Sequence, residues 1–184
     1  CPFLARKGEG GWSKRVFQHP ARQLIIMSTQ GFDFADIDDL YREIILDHYR
    51  SPRNQKKLAE SDLEAEGMNP FCGDEVSMQI KLMDGLVDAV SFKGKGCSIS
   101  QASSSILTEV IKGKTLEEAE ALYFRFRDMM YGRSPSEGGM DQLGEAETLA
   151  GVRRFPIRLK CALLSWATLE DAIKKHLREA AGKE

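Results

Sequence analysis

The sequence predicts an α+β domain: an N-terminal helix, a small antiparallel sheet of about three strands, then helices packed on one face. Three observations carry that prediction. Ile37, Leu40, Tyr41, Ile44, Ile45, His48 and Tyr49 recur at helical spacing. Val76, Met78, Ile80 and Leu82 alternate with Ser77, Gln79 and Lys81, the period-two signature of a half-buried strand. From Cys97 onward the apolar residues return to helical spacing almost to the C-terminus.

Residues 1–26 stand apart from this pattern. Arg6, Lys7, Lys14, Arg15 and Arg22 face a single acid, Glu9, and Leu24-Ile25-Ile26 is too short for a signal-peptide core. The segment reads as a basic extension, disordered or non-native, ahead of a natural start at Met27. An organelle-targeting peptide is the alternative, although Ser13 is its lone serine. Residues 27–184 are expected to form a single domain.

The first helix is expected to be capped by Asp36 and to stop at Ser51-Pro52, because the residue before proline is disfavoured in the helical region. His48 lies on its apolar stripe and reads as a satisfied core or interface histidine. A weak strand before Asn69 precedes the strong one, and Asp84-Gly85 supplies a two-residue hairpin turn into a strand from Leu86 to Lys93, with Val90 and Phe92 on one face.

The next helix carries Ile99, Ala102, Ile106, Leu107, Val110 and Ile111 on one face and ends at Gly113. Its serines, Ser98, Ser100, Ser103, Ser104 and Ser105, suggest a loosely packed, partly exposed face, with a cap among Ser98 and Ser100. Thr115-Leu116-Glu117-Glu118 is a capping box opening a helix to about Tyr131. Gly132 to Gly144 reads as a loop and Glu145 to Ala150 as a short helix. Pro156 suits the first turn of a last helix bearing Ile157, Cys161, Leu164, Leu169, Ile173 and Leu177.

The net charge of −2 gives no electrostatic case for nucleic acid or an anionic membrane, and no apolar run approaches the roughly 20 residues of a membrane span. Four cysteines without a secretory signal point to a reducing compartment, the cytoplasm by default. Cys72, Cys97 and Cys161 are not spaced like paired zinc-finger ligands, so the fold must gather any site from distant segments. Cys72 stands in Asn69-Pro70-Phe71-Cys72-Gly73-Asp74, a tight connection that holds a thiol outward. Asp74 reads there as a turn aspartate or as a group facing the same side as Cys72. Cys97 opens a helix, where the macrodipole favours thiolate. Cys161 follows Lys160 and Arg158, cations that would lower a thiol's pKa, but it equally suits a core position. Together the three indicate a metal or reactive-thiol site.

The segments Asn69 to Asp74, Phe92-Lys93-Gly94-Lys95-Gly96-Cys97-Ser98-Ile99-Ser100-Gln101-Ala102-Ser103 and Phe155-Pro156-Ile157-Arg158-Leu159-Lys160-Cys161 resemble the NifU N-terminal/IscU family of iron–sulfur cluster assembly proteins. Leu40 to Tyr49 followed by Ser51-Pro52-Arg53-Asn54 fits the same family, and the resemblance covers about Asp36 to Lys175. Lys160 stands where the scaffold branch has a ligand histidine, and the segment Arg127 to Gly144 looks like an insertion; both point to the SufU branch.

The resemblance implies zinc held by Cys72, Asp74, Cys97 and Cys161, with a transient iron–sulfur cluster as the alternative cofactor. It also implies persulfide transfer from a SufS-type, pyridoxal-phosphate-dependent cysteine desulfurase onto Cys72, and delivery to downstream cluster-assembly proteins. Arg158 is expected to hold Asp74 or the released thiolate, or else to be an ordinary surface charge. Two other roles stay open at this level: a scaffold assembling a [2Fe–2S] cluster, which usually takes four cysteines or a histidine, and a non-catalytic domain in which zinc only closes the fold.

Overall fold

The strand alternation organises the molecule. In the computed structural model, which describes residues 34–133 and 142–182, Asp74–Met83 (β2) is the central strand of a meander, flanked by Leu63–Asn69 (β1) and Leu86–Lys95 (β3), both antiparallel to it. Val76, Met78 and Ile80 are buried on one face, as are Val90 and Phe92 of β3. Leu82 is only half-buried, and the register slips between Lys81 and Leu82 just before the hairpin. Asp84 and Gly85 both take positive φ, at 54° and 78°, the turn whose twist matches that of the strands it joins.

Helix α1 runs Phe34–Arg50, so Asp36 lies inside its first turn and is not the cap. It stops at Ser51-Pro52 as expected; Tyr49, however, is 46% exposed and leaves the apolar stripe. The linker that follows is clamped to the core. Arg53 N–H donates to Ser105 Oγ (2.8 Å), Asn54 Nδ2 to Thr108 Oγ1 (2.9 Å), and Asn54 O accepts from Phe92 N–H (3.1 Å).

Helix α2, Ser98–Val110, corrects the sequence expectation most sharply: every residue from Ser100 to Thr108 is buried. Its serines line no exposed face. Ser103 Oγ donates to Ala162 O (2.6 Å) and accepts from Trp166 Nε1 (3.2 Å), and Ser104 Oγ donates to Ser100 O (2.9 Å). Ser105 Oγ meets His48 Nδ1 at 2.8 Å. Small hydroxyl side chains let neighbouring backbones approach closely while the oxygens of Ser103, Ser104 and Ser105 each find a partner. The N-cap is Cys97 itself, not Ser98 or Ser100.

Helix α3, Leu116–Tyr131, has the full capping box of Thr115 and Glu118 and ends at Gly132 in the left-handed conformation (φ 70°). Of the expected loop, residues 134–141 lie outside the described ones, as does the extension 1–26. Gly144–Arg154 is an eleven-residue 3-10 helix, longer than the short helix expected at Glu145 to Ala150. Pro156 opens α4, Pro156–Ala181, whose residues Cys161 to Ile173 are largely buried against the sheet, α2 and α3. Ile157 and Leu177 are exposed and do not belong to that face. Phe126 of α3 stacks on Trp166 of α4 with centroids 4.1 Å apart. No described helix is long and apolar enough to cross a membrane.

Candidate metal centre

The three distant cysteines converge at one end of the sheet. Cys72 sits on the four-residue loop between β1 and β2, closed at its base by the Asn69–Asp74 pair. Asp74 is the first residue of β2, Cys97 caps α2 just after β3, and Cys161 lies in the second turn of α4. Donor atoms of Cys72, Asp74 and Cys161 all lie within 4.8 Å of one another. The Cys72 and Cys161 sulfurs are 3.4 Å apart, and the Cys97 thiol donates to Asp74 Oδ2 at 3.6 Å.

Exposure differs across the set. Asp74 and Cys161 are buried, Cys97 is half-buried, and Cys72 is exposed on its loop. Gly73, at φ 70° with open space around it, supplies the turn that no β-carbon would favour. Gly96 has the opposite function. A β-carbon there would stand 2.8 Å from Asp74 Cγ, so the glycine is what lets the carboxylate reach the Cys97 backbone N–H, which donates to Oδ1 at 3.1 Å.

The electrostatics follow from this crowding. Burial raises the pKa of Asp74, but the thiols of Cys72 and Cys161 and the backbone and thiol of Cys97 donate to it, and the net shift is downward. Cys161 moves the other way: burial, then the contacts with Cys72 and Asp74 and the negative charge around it, hold its proton far above the ordinary thiol range. That overturns the expectation that Arg158 and Lys160 depress it. Burial and the acidic neighbours of Cys161 outweigh the charge of Arg158. The exposed Arg158 guanidinium is drawn first to the Cys97 side chain, and that interaction, with the charges of Cys97 and Cys161, raises the arginine's own pKa. Lys160 Nζ lies 4.0 Å from the centroid of the Phe71 ring. His48 is far from this chemistry, buried between Ser105 and Glu145, each 2.8 Å away, as a core histidine should be.

Three thiols and a carboxylate are the donor chemistry of a closed tetrahedral ion. Zinc–sulfur bonds of about 2.3 Å and a zinc–oxygen bond of about 2.0 Å place tetrahedral neighbours about 3.8 Å (sulfur–sulfur) and about 3.5 Å (sulfur–oxygen) apart. The observed 3.4 and 3.6 Å match those separations within the reach of side-chain adjustment. Cys72, Asp74 and Cys161 fit such an ion; Cys97 Sγ, 3.6 Å from Asp74 Oδ2, lies outside the group whose donors are all within 4.8 Å and has to close in to complete the set.

A three-stranded meander backed by helices, with thiols and an aspartate at its loop end, has the make-up of a thiol-rich metal centre. The chain belongs to the NifU-like N terminal domain family, whose model matches residues 40–162. It is 44% identical over 141 residues to the zinc-dependent sulfurtransferase SufU of Bacillus subtilis, covering 77% of this chain and 94% of that one. It is 39% identical over 157 residues to the iron–sulfur cluster assembly scaffold protein IscU of Streptococcus pyogenes, covering 82% and 96%. Among solved structures, a putative scaffold protein for the SUF system from Fervidobacterium islandicum superposes with a TM-score of 0.67 at 36% identity, covering 71% of this chain and 94% of that one.

Proposed function

We propose that this chain is a zinc-dependent sulfurtransferase of iron–sulfur cluster assembly, acting in the cytoplasm on the persulfide of a SufS-type cysteine desulfurase. Cys72, Asp74, Cys97 and Cys161 would hold the ion, which when bound keeps the thiols deprotonated and quiescent. The observation that carries the proposal is the asymmetry of exposure: Cys72 alone of the four is exposed, on a loop with a glycine hinge, while Asp74 and Cys161 are buried.

In the transfer, the Cys72 thiolate attacks the outer sulfur of the donor persulfide. A new sulfur–sulfur bond forms on Cys72, the donor's sulfur–sulfur bond breaks, and the desulfurase cysteine leaves as a thiolate; nothing is oxidised or reduced overall. Arg158, whose charge acts on Cys97 and Cys161, would supply positive charge beside the thiols that stay behind. Cluster-assembly proteins downstream would then take the sulfur.

The test is mass spectrometry of the chain after incubation with a SufS-type desulfurase and cysteine. A 32-dalton adduct on Cys72, lost in Cys72→Ala together with stimulation of desulfurase turnover, is the expected result. Unchanged turnover with a folded Cys72→Ala would sink the proposal and leave zinc a structural role. The second reading, a [2Fe–2S] scaffold, draws on the IscU-named relatives. Metal content and a visible spectrum of anaerobically purified protein separate the two: colourless zinc supports transfer, and brown protein with iron and sulfide supports the scaffold.

A further inference from the structure

Phe71 is 80% exposed, yet its ring has a fixed partner in Lys160, whose Nζ sits 4.0 Å from the ring centroid. The two residues immediately precede Cys72 and Cys161, whose sulfurs are 3.4 Å apart. We propose that Phe71 and Lys160 form a latch that holds the Cys72 loop against α4 and sets how readily Cys72 leaves the centre; they are positioning residues that act through Cys72. The proposal deepens the function given above and rests on its assignment of Cys72 as the exchangeable thiol.

The loop's construction supports a latch at this point. Phe71 N–H donates to Asn69 Oδ1 (3.1 Å) and Gly73 N–H to Asn69 O (2.8 Å), so both backbone bonds of the tip return to its own buried base. They shape the loop without tying it to α4. The side chains of Cys72 and Phe71 cross to α4, to Cys161 and Lys160. Once Cys72 exchanges its partner, the cation over the ring is what still holds the tip. A groove of about 300 Å³ beside the pair, lined by Tyr123, Leu163 and Leu164 among others, leaves room for the ring to swing. Lysine at this position thus has a task of its own: its ammonium lies over the ring of the loop.

Site-resolved iodoacetamide alkylation of the full chain, zinc-loaded and metal-free, tests the latch. Phe71→Leu removes the π face at an exposed position without changing charge, and Cys72 alkylation should rise about two- to fivefold, the size of an exposed cation–π contact. Phe71→Tyr and Lys160→Arg keep the stack and should keep the wild-type rate; Lys160→Met should match Phe71→Leu, and the double variant should add nothing. If Lys160 acts only through its charge, Lys160→Met slows alkylation of Cys72 and Phe71→Leu changes nothing, which overturns the latch. The metal-free arm keeps the two proposals separate. A faster Cys72 there supports the latch even if the protein takes up neither zinc nor persulfide, a result that overturns the function alone.

Discussion

Gly96→Ala should weaken metal binding without touching any ligand. Gly96 is exposed and its backbone is one that alanine can adopt, so neither core packing nor backbone strain enters. What enters is a β-carbon 2.8 Å from Asp74 Cγ, 2.9 Å from Oδ1 and 3.0 Å from Cβ. Asp74 cannot retreat cheaply, because it is 2% exposed and opens the central strand. The carboxylate must turn, and its bond from the Cys97 N–H, 3.1 Å in the native arrangement, is the first to go. A hydrogen bond to a charged group contributes about 1.5–3 kcal/mol, which converts to about a 10- to 150-fold loss of affinity. Competition with a chromophoric chelator measures it. Gly151→Ala, where a β-carbon meets nothing within 4 Å, is the matched control. Zinc affinity of Gly96→Ala within twofold of that control would refute the claim that this glycine positions the carboxylate.

Three further outcomes can be measured, two at the centre and one where β1 meets α4. Because Cys161 keeps its proton well above the ordinary thiol value, zinc uptake at neutral pH should release at least that proton, and affinity should climb as pH rises; calorimetry in buffers of different ionisation enthalpy reads the count, and buffer-independent heats would contradict it. The same raised pKa makes the metal-free fold lose stability above about pH 8.5, where the unfolded thiol ionises and the folded one does not. Gly67→Ala would put a β-carbon 2.1 Å from Thr168 Oγ1, driving β1 off α4 at a cost of about 1–3 kcal/mol in a thermal melt. Thr168→Ala in the same chain should recover most of that loss, since the contacts that remain are the flexible tip of Leu164, Cδ1 at 3.3 Å, and the β-carbon of residue 168 at 3.4 Å.

The elements that the sequence made legible are those whose pattern is local. The alternation through Ile80, the Asp84-Gly85 turn and the Thr115–Glu118 box each carry their signal within a few residues. β1 was faint because Glu64, Glu66 and Gly67 dilute its pattern; its burial is strongest only at the ends, Leu63 and Asn69. The 3-10 helix had a signal that a search at α-helical period passes over: Leu143, Ala146, Leu149 and Val152 are all buried and recur every three residues, the period of that helix. The serines of α2 could not be placed from sequence, since their partners, Ala162, His48 and Arg53, come from other segments. In the site, which residue types gather was legible from the flanking glycines and from the family resemblance. The direction of the cations was not. Arg158 and Lys160 precede Cys161 in the chain, yet one reaches Cys97 and the other Phe71.

The buried serines of α2 have a consequence for the centre as a mechanical object. With every residue from Ser100 to Thr108 buried, the helix that presents Cys97 is held by packing along its length. Cys161 is set as firmly in α4. The centre therefore has two stiff walls and one soft one, the Cys72 loop. A visitor arriving from that side works against a hinge, and the rest of the molecule need not feel that it came.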